Sequence, residues 1–151
     1  MGTEKRKILI VDDDENICDS LSLILGARGY EVDIAHTGKE AVKKSNDYIY
    51  NLAVLDIRLP DIDGTKLLKA MRETTPKMVK IMLTGYPELQ NAIDALNDGA
   101  DVYFTKPVDP AKLIEAIEDK LDEQEEDKTK TEDELGDFLK NRSEKLLQEL
   151  R

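Results

Sequence analysis

Asn51-Leu52-Ala53-Val54-Leu55-Asp56-Ile57-Arg58-Leu59-Pro60-Asp61-Ile62-Asp63-Gly64 runs from an unbroken apolar stretch into one carboxylate, then breaks at Pro60 and Gly64. A strand that is apolar at every position must be covered on both faces, which is the habit of parallel sheets. Ending such a strand on Asp contributes nothing to its burial. It does put a carboxylate at the carboxyl end of a central strand, where open α/β sheets hold their ligands. Asp56 is therefore the candidate working residue, and the rest of the chain is read for what it supplies to it.

Working outward, the same grammar recurs. Lys7-Ile8-Leu9-Ile10-Val11 is a second continuous run and ends on Asp12-Asp13-Asp14. Ile17, Leu21, Ile24 and Leu25 follow at helical spacing, with Gly29 as a stop. Glu31-Val32-Asp33-Ile34-Ala35 alternates like a half-buried strand, and Thr37 caps a helix carrying Ala41 and Val42. Beyond Asp56, Leu67, Leu68 and Met71 mark a helix, and Val79–Leu83 a strand ending at Thr84-Gly85. Leu89, Ala92, Ile93 and Leu96 form another helical face, closed by Gly99. Asp101–Thr105 reads as a fifth strand, and Leu113, Ile114, Ile117 and Leu121 as a fifth helix. Regular alternation of strand and helix predicts a doubly wound α/β domain with a five-stranded parallel sheet. The continuous runs belong in the middle and the alternating ones at the edges. The order 2-1-3-4-5 satisfies that ranking and brings the ends of strands one and three together.

Composition narrows the function classes. The 151 residues carry a formal net charge of −11, which opposes binding of nucleic acid or an anionic membrane through bulk charge. The single cysteine, Cys18, cannot form an intrachain disulfide and reads as an inert core thiol in a reducing compartment. The apolar run at Ile8–Val11 is too short for a signal peptide or a spanning helix, so the expected location is the cytoplasm. No glycine-rich nucleotide loop occurs, and His36, the only histidine, reads as a surface residue near an edge strand.

Three carboxylates, Asp12, Asp13 and Asp56, thus gather at adjacent strand ends and repel one another unless a cation intervenes. Hard oxygen ligands in this number suit Mg²⁺. The next strand ends add the Thr84 hydroxyl and the Lys106 ammonium. An acidic cluster, a hydroxyl and a lysine together hold a phosphoryl group by metal, hydrogen bond and ion pair. A carboxylate can also be a covalent nucleophile, forming an aspartyl phosphate, and Asp56 is the candidate.

The pieces Ile8–Asp13, Leu55–Gly64, Leu83-Thr84-Gly85 and Tyr103–Pro107 make residues 5 to 121 resemble the receiver domains of two-component response regulators. The resemblance implies a flavodoxin-like (βα)5 fold and a phosphorylation-dependent switch. Asp56 would accept a phosphoryl group from a histidine kinase or phosphotransfer protein, and Asp12, Asp13, Asp56 and the Arg58 carbonyl would hold Mg²⁺. Lys106 would contact the phosphate, with Lys106-Pro107 as a candidate cis bond. Thr84 would move toward the phosphate while Tyr103 turns inward. The face built from the fourth helix, fifth strand and fifth helix would change shape to bind a downstream protein or a second copy. Arg58 and Tyr86 stand at positions that tune phosphate lifetime, and their bulk predicts slow self-hydrolysis.

Two rivals have a residue basis. Asp12 and Asp14 match the Asp-x-Asp pair of haloacid-dehalogenase-type phosphohydrolases, although Asn16 departs from their pattern and the chain leaves little room for their extra elements. A phosphorylation-independent binding module is the other, opposed by the full set of acceptor, metal and switch residues. The domain reading is a receiver over 1–121, an acidic linker or solvated helix extension over 122–134, and a short amphipathic helical tail over 135–151. From residue 122 onward eleven acids face six bases, a net of −5. The tail is too small for a usual effector domain. It suits a stand-alone regulator or the start of a longer protein, with its apolar stripe from Leu135 to Leu150 either pairing with its copy in a homodimer or docking on the receiver.

Overall fold

The computed structural model describes residues 5–75, 77–85, 97 and 99–149. Its five strands are β1 (Lys7–Val11), β2 (Glu31–Ala35), β3 (Leu52–Asp56), β4 (Val79–Thr84) and β5 (Val102–Thr105). They form one parallel sheet in the order β2-β1-β3-β4-β5, as the apolar patterns require. β3 and β4 are buried along their whole length, and β1 from Ile8 on. β2 and β5, the edges, are mostly half-exposed. The helical face expected over Leu89–Leu96 lies outside the described residues, as does Tyr86.

Helices α1 (Glu15–Ala27), α2 (Gly38–Asp47) and α3 (Gly64–Thr74) begin on capping side chains. Asp14 accepts from the Asn16 and Ile17 amides, Thr37 from Glu40, and Asp63 from Thr65. Each satisfies an amide that has no partner within its own helix. α1 ends as Gly29 predicts: with φ at +92°, Gly29 donates to the Gly26 carbonyl while Tyr30 donates to that of Leu25.

Side chains alternate across each strand, so the sheet feeds two cores. Leu9, Val11, Ala53, Leu55 and Met82 pack with Leu67, Leu68 and Met71 of α3 and Ala41 of α2. The buried residues of α1 (Cys18, Leu21, Leu25) and those of the C-terminal helix (Leu113, Ile114, Ile117) stand outside that cluster and cover the opposite face. One residue departs from the apolar reading of β4. Lys80 is buried, and its ammonium donates to the Thr75 and Met78 carbonyls at 2.8 Å each, where the chain leaves α3. A buried cation is tolerable there because helix-end carbonyls carry partial negative charge.

The C-terminal helix runs without a break from Pro110 to Glu149, through Asp122–Glu134 and Gly136. The chain divides into two units, residues 1–117 and 118–151. In the second, every described residue from Asp122 on is exposed except the half-buried Gln124.

Candidate functional site

The sheet's register assembles the site. Val11 pairs with Leu55, so Asp12 and Asp56 leave adjacent strands at the same level, and Asp56 pairs with Leu83, one residue before Thr84. Asp12, Asp13 and Asp56 each offer a carboxylate oxygen, all within 4.8 Å of one another. Asp12 and Asp56 are buried and Asp13 is exposed. The Lys106 ammonium reaches in from the end of β5, 2.9 Å from Asp12 Oδ2 and 3.3 Å from Asp56 Oδ2. The Lys106-Pro107 peptide bond is cis. The Arg58 amide donates to Asp56 Oδ1 at 3.3 Å. Thr84 is fully buried at the end of β4, and its carbonyl accepts from the Lys106 amide at 2.6 Å. Tyr103 packs against the core cluster, and its hydroxyl is buried with no hydrogen-bond partner among the described residues.

The electrostatics follow from this crowding. Burial pushes the Asp56 carboxyl above its ordinary range, and the neighbouring Asp12 charge adds to the push; Lys106 and the Arg58 amide only partly offset it. Lys106 is held above its ordinary value. Burial works against its charge, but the hydrogen bond and charge of Asp12, then those of Asp56, outweigh it. Three carboxylates and one ammonium leave a formal −2. A divalent cation cancels that charge, and an all-oxygen donor set that is open on the Asp13 side fits a hard ion.

Several contributors carry no local sequence signal. His36, expected at the surface, is half-buried: its Nδ1 lies 3.0 Å from the Asp12 carbonyl, a contact that requires the proton on Nδ1. Cys18 Sγ donates to the same carbonyl at 3.3 Å. Its thiol is pushed up to about 12, by burial first and then by the Asp12 charge, so it is inert, as expected. The two contacts hold the β1 end by its backbone and leave the Asp12 carboxylate to Lys106 and the Asp14 amide. Asp61 accepts from the Gly38 and Lys39 amides at 2.8 and 2.9 Å, tying the loop after Asp56 to the start of α2. The Gly64 amide donates to the Ile57 carbonyl at 2.6 Å, closing the same loop.

Comparison with known proteins agrees with this geometry. The response regulator receiver domain model matches residues 8–118. The chain is 37% identical over 136 residues to the uncharacterized transcriptional regulatory protein YkoG of Bacillus subtilis (strain 168), covering 90% of this chain and 58% of that protein. It is 35% identical over 113 residues to the transcriptional regulatory protein ZraR of Klebsiella oxytoca, covering 75% of this chain but 26% of ZraR. The chain thus spans only part of the length of these curated relatives. Among solved structures, a CheY-like response regulator receiver domain protein from Methanospirillum hungatei JF-1 superposes with a TM-score of 0.80 at 50% identity, covering 82% of this chain and 99% of that one. The chain belongs to the response regulator receiver family, whose function is phosphorylation-dependent signalling in two-component systems.

Proposed function

We infer that Asp56 is the phosphoacceptor of this chain, working with Mg²⁺ held by Asp12, Asp13, Asp56 and the Arg58 carbonyl. The observation that carries the reading is the Lys106 ammonium within 3.3 Å of both buried carboxylates, beside the third carboxylate of the cluster. An Asp56 oxygen attacks phosphorus in line. The new O–P bond forms as the donor's P–N bond breaks, and the donor ring, already protonated on its other nitrogen, takes the P–N electron pair and leaves as neutral imidazole. Bound Mg²⁺ supplies charge neutralisation for the transferring group. Lys106 pairs with a phosphoryl oxygen, and Thr84 at the neighbouring strand end donates to another. Because burial raises the Asp56 carboxyl, its reactivity as a nucleophile falls as pH drops through that raised value.

A histidine kinase or phosphotransfer protein is the donor. A cleft of about 530 Å³ beside Lys106, lined by Ile17, Leu21, Pro107 and Val108 among others, offers a protein donor an apolar foothold that small phosphodonors do not use. The modified product is the protein itself, and the bulk of Arg58 beside Asp56 slows its loss of phosphate by hindering the approach of water. Its output is a change around β5, where Tyr103 shifts between half-buried and fully buried as Thr84 engages the phosphate. That change governs binding of a downstream protein or a second copy. The receiver occupies residues 1–121, and the remainder of the helix is an extension from it.

Incubation with labelled acetyl phosphate and Mg²⁺ tests the assignment. Base-labile label is expected on the wild-type chain, none on Asp56→Asn, and none when the metal is chelated. Undiminished label on Asp56→Asn refutes it.

A further inference from the structure

The exposed end of the C-terminal helix carries an apolar stripe that nothing in the phosphorylation site uses. Leu135, Phe138, Leu139, Leu146 and Leu147 are each more than half exposed, although the segment is helical. At 3.6 residues per turn these five occupy one half of the helical wheel. Large apolar side chains held on one face in this way mark an interaction surface.

The order of the stripe says what covers it. Leu135 and Leu150, Phe138 and Leu147, and Leu139 and Leu146 stand at equal distances on either side of the point between Arg142 and Ser143. The stripe therefore reads the same in both directions. Two copies laid antiparallel about that point bring Phe138 level with Leu147 of the partner subunit, and Leu139 level with Leu146 of the partner subunit. That is the self-matching surface a two-fold dimer requires.

Charge selects the antiparallel arrangement over a parallel one. Residues 122–134 carry eight acids and two bases, a net of −6, whereas 135–151 carry three acids and four bases, a net of +1. Parallel helices would run one −6 segment alongside the other. Antiparallel helices overlap only in the nearly neutral segments and send the acidic ones off opposite ends. Like charges in close register cost stability, so the second arrangement is favoured.

We propose that residues 135–149 are a homodimerisation element in which two copies of this helix pair antiparallel about the Arg142–Ser143 midpoint. One helix face of this length, about 21 Å at 1.5 Å per residue, buries less than the ~800 Å² per partner of a standard interface. The dimer therefore forms and dissociates with concentration.

Sedimentation equilibrium of the full chain is expected to show a monomer–dimer equilibrium that Leu146→Asp returns to monomer, while Asp56 labelling stays unchanged. For direction, a Leu139→Cys chain is mixed with a Leu146→Cys chain of distinguishable mass and oxidised; the wild-type chain controls for the buried Cys18. The mixed disulfide is expected to dominate. Monomer at every concentration, or a dimer indifferent to Leu146→Asp, overturns the proposal. Leu139→Cys chains that link mainly to one another show a parallel pair and overturn it as well.

Discussion

Asp56 is held in a state that its fold resists. A carboxyl whose folded value lies above its unfolded value binds its proton more tightly in the native state. Stability then falls as pH rises from the unfolded value through the raised folded value, and stays low above it. Burial and the Asp12 charge set that sign, and the Lys106 contact does not reverse it. Asp56→Asn is therefore expected to melt higher than wild type in metal-free buffer at neutral pH, with each ~1 kcal/mol gained appearing as roughly 2–4 °C. The advantage should shrink as pH falls and vanish once the wild-type carboxyl is protonated in both states. Thermal melts from pH 3 to 8 check this, and a pH-independent difference would mean the gain has another origin. At this scale Asp12, Asp13, Asp56 and Lys106 were legible because each stands at or within two residues past the end of a predominantly apolar run, where a charge stands out. The hold of His36 on the Asp12 carbonyl was not, because that contact joins residues 24 apart through the pairing of β1 with β2. Local pattern carries no record of such a partner.

At the scale of elements, the loop between β3 and α3 is what keeps the acceptor end in place. Two glycines lie against it, Gly64 at its end and Gly38 at the start of α2, and they differ in what surrounds them. A Cβ at Gly64 would fall 2.4 Å from the Asp56 carbonyl oxygen and 2.5 Å from Ile57 Cα, both backbone atoms of the strand end. A Cβ at Gly38 would meet Ile62 Cγ2 at 2.1 Å, the tip of a half-buried side chain that can turn aside. Neither clash rests on unusual backbone, since the only positive-φ glycines are Gly29 and Gly99 among the described residues. Gly64→Ala should thus cost about 2–3 kcal/mol, at the upper end of overpacking effects, and slow phosphorylation of Asp56. Gly38→Ala should cost ~1 kcal/mol or less. Urea unfolding of the two variants orders them, and equal midpoints would show that the strand end yields as easily as the isoleucine. The elements themselves were legible because apolar periodicity reports burial directly. β1, β2 and β3 match the expected bounds, and β5 begins one residue later, at Val102. Lys80 was legible only as an interruption of β4, since its carbonyl partners belong to the turn after α3. The bridge from Asp61 to α2 likewise spans more than twenty residues.

For the molecule as a whole, charge is the dominant fact. The chain carries a net −11, of which the site's own groups contribute −2, and unfolding disperses that charge. The metal-free native state therefore stores repulsion that the unfolded chain relieves, and any cation lowers it by screening. Screening and binding have different signatures. Mg²⁺ bound only by the folded chain stabilises it by RT ln(1 + [L]/Kd), about 2.7 kcal/mol at a hundredfold excess over Kd. For a chain of this length that is a rise in melting temperature of roughly 5–10 °C. KCl at matched ionic strength should give a much smaller rise, spread over the whole surface. Asp13→Asn removes the exposed ligand while leaving the two buried carboxylates and Lys106 together, so it should lose most of the Mg²⁺-specific gain and keep the KCl response. Differential scanning calorimetry with the two salts and the two proteins separates the effects. Equal rises from Mg²⁺ and KCl in the wild type would reduce the cluster to a source of repulsion, and the cation would then have no fixed place beside Asp56.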